Sequence, residues 1–269
     1  FVIEESKNPM GRFSVGTPRT SDGSLLFLQH MISKMKPGGS RIGIVFNGSP
    51  LFTGDSGSGE SEIRKWIIEN DWLECIVSLP SDLFFNTGIT TYIWIVTNNK
   101  KTDRKGKVQL INCESFFKVM KKKLGEKRKE IDKPLRQKIL HLYRNFEENE
   151  YSKIFENDFF GYNRIQIEQP KVEDGIVLRD KKGNPKPDSK LKDFERVPLN
   201  SDIKEYYSRE VKSHLPNSWI NFDKTIKGYE INFTKYFYQY NPLRSSQEIV
   251  KDIIDLDSEI EGFQKQILE

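Results

Sequence analysis

The residues best suited to chemistry lie in a glycine- and serine-rich loop, GSPLFTGDSGSGE, at positions 48–60. Its GDSGSG string only superficially matches the GDSGG of serine proteases, and the loop lacks the sharp turn motif that exposes a nucleophilic serine. As a phosphate cradle it lacks the closing Gly-Lys-Ser/Thr, and Glu60 opens the following helix where an anion would bind. The loop therefore predicts neither a hydrolase triad nor a nucleotide site.

The sequence lacks the residue spacings that are typical of metal sites and of disulfide frameworks. His30, His141 and His214 are scattered, with no set of Cys or carboxylates at metal-ligand spacing. Cys75 and Cys113 each fall in a strand-like run, where Cys usually acts as a small buried hydrophobe. We therefore predict no metal site and no disulfide framework, and the sparse Cys content favours a reducing cytoplasm.

A strongly basic stretch occupies residues 118–138. It holds ten basic and three acidic side chains, an excess of +7. The whole chain, with 43 basic and 39 acidic residues, carries only +4, which is too mild to indicate a nucleic-acid binder by itself. The stretch predicts a helix whose charges either lie on a solvated face or contact nucleic acid.

The composition predicts a folded core and no membrane segment. Hydrophobic residues at 36% and aromatic residues at 12% are enough to bury a core in 269 residues. The longest apolar run, 92–96, is far shorter than the roughly 20 residues of a spanning helix, and no signal-type stretch opens the chain. We expect neither a membrane protein nor an exported one.

Helix and strand patterns alternate over residues 1–113. Apolar residues at helical spacing predict helices over 25–35 and 61–73, the first ended by Pro-Gly-Gly. Runs rich in β-branched residues predict strands over 41–47, 74–80, 90–99 and 105–113. This alternation predicts a mostly parallel α/β sheet, with the late strands open to antiparallel pairing at an edge.

Composition divides the rest of the chain into three further segments. We predict a basic helical extension with two helices over 114–170, and a charged linker or arm over 171–200. The C-terminal segment, 201–269, ends in a helix with apolar residues spaced by four and three, as in a heptad seam. These residues are Ile249, Ile253, Leu256, Ile260, Phe263 and Ile267.

Several strings, in order along the chain, carry a family resemblance: LLFLQHMISKMKPGG, RIGIVFNGSPLF, ESEIRKWIIENDWL, ECIVSLP and LFFNTGITTYIWIVTNNK. Over about residues 10–168 the chain resembles the M (modification) subunit of type I restriction–modification systems, the adenine-specific DNA methyltransferases. The tail GYEINFTKYFYQYNPLRSSQEI is similar to the C-terminal segment of a subgroup. The resemblance implies an α/β fold, with the C-terminal half of a Rossmann-like, S-adenosylmethionine-dependent methyltransferase sheet over 1–113, followed by a mainly helical tail.

The resemblance also implies an activity, the transfer of a methyl group from S-adenosylmethionine to the exocyclic amine of adenine in DNA. In that family a glycine-containing loop binds the cofactor and an Asn/Asp-Pro-Pro-Phe/Tyr motif holds the target amine, and neither string occurs in this sequence. We therefore expect a segment downstream of that motif, with no catalytic or cofactor-binding residue, which is inactive and binds no S-adenosylmethionine by itself. The alternative is a non-catalytic α/β module that binds protein or DNA.

Adenine methylation requires the target base to leave the helical stack and lie against an aromatic wall. The resemblance maps this wall to Phe85, with Phe84 as second choice, in the loop before the strand TTYIWIV. Four residues at a strand end and in the adjacent loop complete the predicted target-base pocket: Asn47, Gly48, Thr87 and Gly88. Alternatively, both Phe plug the sheet edge and the other four serve strand-end packing.

The resemblance implies partners as well. For the basic stretch it favours contacts to the phosphates of double-stranded DNA, made by Lys121, Lys122, Lys123, Lys127 and Arg128. Sequence choice in type I systems resides in a separate specificity (S) subunit, which we predict to dock on the heptad helix unless that helix packs on its own domain. The restriction (R) subunit is a further candidate partner, and no membrane contact is expected.

Overall fold

The computed structural model describes residues 1–240 and 243–268, and in the last helix it describes side chains up to residue 264. The chain divides into two compact units, Phe1–Phe237 and Tyr238–Glu269. The boundary between these units falls inside the predicted C-terminal segment, 201–269.

Short helices and many strands build the first unit. Its helices are α1 (Val2–Ser6), α2 (Ser24–Ile32), α3 (Ser49–Phe52), α4 (Gly59–Glu69), α5 (Lys133–Asn145), α6 (Ile203–Tyr206) and α7 (Phe233–Phe237). Its strands are β1 (Arg41–Phe46), β2 (Leu73–Leu79), β3 (Thr91–Thr97), β4 (Lys107–Asn112), β5 (Lys118–Leu124), β6 (Lys127–Glu130), β7 (Ser152–Glu156), β8 (Gly161–Glu168), β9 (Val172–Glu173), β10 (Ile176–Val177), β11 (Asp193–Pro198) and β12 (Trp219–Tyr229). In the second unit, α8 covers Ser246–Leu268.

The main sheet has the strand order β1-β3-β2-β4-β7. Strands β2 and β4 are parallel, whereas β3 runs antiparallel to β1 and β2, and β7 runs antiparallel to β4. The prediction of a mostly parallel sheet is wrong, because residues 80–90 link β2 to β3 without the crossover helix that usually joins parallel neighbours. Strands β1, β2 and β4 still point the same way, so their carboxyl ends share one edge.

Helices cover both faces of the main sheet. Strand β2 is buried along its whole length, as expected for a strand with both faces covered. On one face α2 and α4 pack around the fully buried Trp94, and on the other α5 packs near Cys75 and Ile111. The helices predicted over 25–35 and 61–73 are confirmed as α2 and α4, and the predicted strands of this region are β1 to β4.

A buried arginine in α4 joins distant parts of the first unit. Arg64 donates hydrogen bonds of 2.6–3.1 Å to four backbone carbonyls, those of Pro50, Thr53, Gly54 and Tyr229. Burial lowers the pKa of Arg64 to about 10. Because each carbonyl finds a donor away from water, this side chain fixes the turn after β1 against the end of β12.

Residues 161–229 contribute a second, antiparallel sheet with the order β11-β8-β12. In β8, Ile165 and Ile167 are fully buried while Arg164 and Gln166 are not, which is the alternation of a strand with one covered face. The expectation of a mainly helical tail, which the resemblance implies, is therefore wrong up to residue 237, because this region contains the three paired strands β8, β11 and β12. Residues 169–192 link β8 to β11 and contain β9 and β10.

Residues 118–130 form a two-stranded antiparallel hairpin of β5 and β6, named here the basic hairpin. The predicted basic helix is wrong at this place, because Gly125, at φ +61°, turns the chain back in a conformation that favours glycine. The second helix predicted for this region is confirmed as α5. It begins behind Asp132, whose carboxylate accepts a hydrogen bond from Leu135 N at 3.0 Å.

The carboxylate of Asp71 predicts a pH dependence of stability. Burial would raise its pKa, but hydrogen bonds from Lys100 Nζ (2.6 Å), Gly106 N (3.0 Å) and Asn157 Nδ2 (2.9 Å) outweigh burial and hold the pKa below its ordinary value. The stability that Asp71 contributes is thus fully present above the unfolded-state pKa of about 3.9. It is lost as the pH falls through the lower folded-state pKa.

We therefore expect Asp71→Asn to flatten the acid limb of a plot of melting temperature against pH, between about pH 4 and pH 2. Asp103→Asn, at an exposed carboxylate, should leave that limb unchanged. Thermal unfolding followed by circular dichroism measures both. Identical acid limbs for Asp71→Asn and the unaltered protein would contradict the expected role of these hydrogen bonds.

The second unit, taken by itself, carries an exposed apolar stripe on α8. Five side chains at the predicted spacing are 45–62% exposed, namely Ile249, Ile253, Leu256, Ile260 and Phe263. Val250 and Ile254 are also exposed, but at about 100° per residue they lie outside this stripe, toward the other side of the helix. The predicted sixth member, Ile267, lies where the side chains are outside the described residues.

Candidate functional site

The carboxyl edge of the main sheet positions the predicted pocket residues. Strand β1 ends at Phe46 and β2 at Leu79, on either side of the start of β3. Residues 80–90, named here the aromatic loop, cross this edge to join β2 to β3. Open α/β sheets bind their ligands at such an edge, so the aromatic loop is well placed to contact one.

Phe84 and Phe85 of the aromatic loop are not core residues. Their exposed fractions are 38% and 56%, so neither ring is a buried plug of the sheet edge. Both line a cavity of about 610 Å³ between the aromatic loop, the basic hairpin and α5. The rest of its wall is apolar except for Lys127, Glu130 and Arg136. The cavity can therefore shelter an apolar, planar group beside cations.

Backbone hydrogen bonds attach the basic hairpin to the aromatic loop. Glu126 N donates to Phe85 O at 3.0 Å, while Arg128 N and Lys129 N donate to Asp82 O at 2.9 and 3.1 Å. The bonded residues are at least 41 positions apart in the chain, and nothing in the sequence patterns of the two segments indicated that they touch. The structure thus joins two regions that the sequence analysis treated separately.

The cations predicted to contact DNA are all on the basic hairpin: Lys121, Lys122 and Lys123 on β5, and Lys127 and Arg128 on β6. Within residues 1–240 and 243–268, none of these five forms an ion pair, whereas Lys118 and Lys129 pair with carboxylates. Lys127 Nζ lies 5.6 Å from the centroid of the Phe85 ring, a cation–π distance. The exposed ring and part of the basic stretch therefore share one surface.

The other predicted pocket residues lie near the same edge but do not line the cavity. Asn47 and Gly48 turn the chain from β1 into α3, and Asn47 Oδ1 accepts a hydrogen bond from Ser49 N at 3.0 Å. Thr87 and Gly88 belong to the aromatic loop, where Thr87 Oγ1 accepts a backbone hydrogen bond at 3.3 Å. These contacts account for Asn47 and Thr87 by local turn structure, and the part of all four residues in a base pocket stays a prediction.

The glycine-rich loop at 48–60 does not fit S-adenosylmethionine. A Cβ at Gly59 would lie 1.9 Å from Thr17 O, so the chain's own backbone fills the space next to this glycine. The carboxylate of Asp55, which could otherwise bind ribose hydroxyls, is paired with Arg164 at 3.1 Å. We assign no cofactor contact to this loop.

The cysteines are buried, as predicted, and their thiols are unreactive. Burial raises the pKa of Cys75 well above its ordinary value and that of Cys113 to about 12, so neither thiol is a nucleophile at neutral pH. Over the described ranges, no group of three His, Cys, Asp or Glu side chains could hold a metal ion. In that same part of the chain, no helix is both long and apolar enough to cross a membrane.

Sequence reasoning missed the third wall of the cavity. Ile139 and Leu140 of α5 line it together with Arg136 of the same helix. The four-residue spacing of Leu135, Ile139 and Tyr143 indicates an apolar face on this helix. That signal identifies a packed face, but it does not say which loop the face borders.

Comparisons with known proteins agree with this architecture. The family described as N-6 DNA Methylase matches residues 3–166. The type I restriction enzyme HindI methylase subunit of Haemophilus influenzae is 42% identical over 105 residues, covering 39% of this chain and 23% of that protein. The type I restriction enzyme MjaIX methylase subunit of Methanocaldococcus jannaschii is 29% identical over 170 residues, covering 63% and 28%. The chain thus spans about a quarter of the length of these relatives.

One solved structure supports the fold. The methyltransferase subunit of a type I restriction–modification system from Streptococcus thermophilus has a TM-score of 0.50 and 24% identity, covering 58% of this chain and 31% of that one. The α/β, Rossmann-like methyltransferase class predicted from the sequence is therefore confirmed, with the corrections to strand direction and tail given above. Because the family match covers more than half of its residues, this chain belongs to the N-6 DNA Methylase family.

Proposed function

We propose that this chain is part of the modification subunit of a type I restriction–modification system, which transfers a methyl group from S-adenosylmethionine to the exocyclic amine of adenine in DNA. Family membership and the similarity to type I methylase subunits support this reaction. The structural observation that carries the proposal is the exposed ring of Phe85 at the carboxyl edge of the sheet, with Lys127 beside it. The direct test is whether the full-length subunit methylates adenine.

Phe85 is the residue that we propose holds the target base. The amine of adenine is stacked and paired in duplex DNA, so the base must leave the helix before it can react. An extruded base loses its stacking partners. Stacking on one aromatic side chain restores about 1–3 kcal/mol of favourable free energy. When bound to the subunit, S-adenosylmethionine supplies the methyl group, while Phe85 orients the base and the apolar cavity wall limits water around it.

The basic hairpin supplies phosphate contacts in this proposal. Residues 118–130 contain seven basic and two acidic side chains, a local charge of +5. A phosphate attracts such a surface whatever the base sequence, so these contacts position the DNA and do not select a sequence. This role agrees with a separate subunit that reads the recognition site.

Replacing Lys121, Lys122 and Lys123 together by Gln should weaken binding to duplex DNA by the same factor for different DNA sequences. Each lost phosphate contact reduces the slope of log binding constant against log salt concentration by about 0.9, so the slope should become shallower by up to about 3. Binding titrations at several salt concentrations measure this slope.

A matched control removes three lysines at the opposite edge of the sheet, near the amino ends of β1 and β4: Lys36, Lys101 and Lys105. This control variant should keep the slope of the unaltered protein. If both triple variants gave the same slope, the basic hairpin would have no special part in DNA binding.

The exposed stripe of α8 supports a protein partner, which we propose is the specificity subunit. Apolar side chains at four–three spacing match a helix that packs along another helix. In the assembled system the restriction subunit is a further partner. Double-stranded DNA completes the set of proposed partners.

A further inference from the structure

We infer that the basic hairpin positions Phe85, and that Lys129 fastens the hairpin to the aromatic loop. The inference rests on the proposed function, because it takes Phe85 as the stacking face for the target base. Lys129 is a positioning residue here: it contacts the aromatic loop and acts on the ring through it. It is distinct from the five cations assigned to DNA phosphates.

Lys129 has different surroundings from its neighbours on the basic hairpin. Its ammonium group donates to Ser81 Oγ at 3.0 Å and lies 3.8 Å from Asp82 Oδ2. It also lies 4.1 Å from the centroid of the Phe117 ring. Its side chain is only 22% exposed, whereas Lys122 is exposed. Lys129 therefore faces the start of the aromatic loop, while Lys122 remains available to solvent or DNA.

The backbone next to Lys129 completes the attachment. Asp82 has a left-handed backbone, at φ +57°, and its carbonyl accepts two N–H groups of β6. Three residues further on, the carbonyl of Phe85 accepts Glu126 N. Gly125 permits this second contact, because a Cβ there would lie 2.9 Å from Phe85 O. The aromatic loop is thus held at two points, one on each side of Phe84.

Because of these two attachments, the position of the basic hairpin determines the position of the Phe85 ring. The exposed lysines of β5 can bind the DNA backbone while β6 holds the loop that carries Phe85. The hairpin therefore sets the distance between the bound phosphates and the aromatic ring. A small displacement of a group that orients the substrate lowers turnover even when binding is unchanged.

The test compares Lys129→Met with Lys118→Met in the full-length subunit, because Lys118 also forms one ion pair, with Asp132, but is not among the five cations assigned to DNA phosphates. Both remove one positive charge from the same hairpin, but only Lys129 contacts the aromatic loop. We expect Lys129→Met to accelerate amide hydrogen exchange at Glu126 and in residues 82–90, and to lower kcat by about three- to tenfold, as for one lost hydrogen bond. The Kd for duplex DNA should match that of Lys118→Met, because neither variant removes an assigned phosphate contact. Lys129→Arg, which keeps the charge and the donors, should restore kcat.

Two results separate this inference from the proposed function. If Lys129→Met and Lys118→Met had equal exchange rates and equal kcat while the unaltered subunit methylated adenine, the inference would be wrong and the proposed function would stand. If the unaltered subunit methylated no adenine, the proposed function would fail and Phe85 would lose the role assigned to it. The exchange measurement would still decide whether Lys129 holds the loop.

Discussion

Replacing Phe85 by Ala is expected to lower adenine methylation by the full-length subunit about 5- to 150-fold. Loss of one base–aromatic stack costs about 1–3 kcal/mol, and about 1.4 kcal/mol corresponds to a tenfold change in rate. Phe85 is 56% exposed and belongs to none of the buried core clusters, so the melting temperature should change little. The measurements are kcat/KM on duplex DNA and thermal unfolding of the same preparation.

Two control variants separate stacking from other effects. Phe85→Trp keeps an aromatic face and should retain most of the activity. Phe27→Ala removes a ring that is 70% exposed on α2, far along the chain from the aromatic loop, and should have no effect on turnover. Unchanged turnover in Phe85→Ala, with the fold intact, would contradict the assigned role and leave Phe84 as the remaining candidate wall.

The second large effect is expected on α8, where Leu256→Asp combined with Ile260→Asp should abolish co-purification of the specificity subunit. The stripe contains these two side chains, which are 57% and 50% exposed. Apolar surface left in water is unfavourable by about 25 cal/mol per Å², so a partner that covers the stripe gains stability that two carboxylates would remove. Pull-down of the tagged full-length subunit measures the effect.

The matched control places the same two charges on the opposite side of the helix. Successive residues of a helix are about 100° apart, so Gln247 and Ser258 lie roughly opposite Leu256 and Ile260. Gln247→Asp with Ser258→Asp should leave co-purification intact. Normal recovery of the partner with Leu256→Asp and Ile260→Asp would show that the specificity subunit docks elsewhere.

Local patterns predicted the first part of the main sheet well, because each helix and strand there has a clear apolar period. α4, for example, buries Ile63 and Ile67 on one side, and the spacing of these residues is visible in the sequence. The direction of β3 was not predictable in the same way. The aromatic loop turns the chain back after β2, so that β3 lies antiparallel between β2 and β1. No periodicity in the sequence indicates the direction of that returning strand.

The basic hairpin shows why the region after residue 113 was misassigned. A lysine-rich run has no apolar period, and its charge suggested a solvated helix. Its strands are defined instead by the turn at Gly125 and by hydrogen bonds to Asp82 and Phe85 in the aromatic loop. The alternation of Ile165 and Ile167 in β8 was present in the sequence and could have indicated a strand.

The candidate site was predicted in its parts but not in its assembly. The resemblance indicated Phe85 and the cations of the basic stretch as separate functional elements. Their proximity arises from contacts between residues far apart in the chain, including the 5.6 Å approach of Lys127 to the ring. The contribution of Ile139 to the cavity likewise depends on how α5 packs, which the amphipathic spacing of one helix does not specify.

The most direct test of the proposed reaction identifies the methylated base. The full-length subunit, purified with its specificity partner, is incubated with duplex DNA and S-adenosylmethionine that carries a labelled methyl group, and the DNA is then digested to nucleosides for mass spectrometry. We predict that the label appears in N6-methyladenine. Label confined to a methylated cytosine, or DNA without label from a folded complex that binds both DNA and S-adenosylmethionine, would contradict the proposed function.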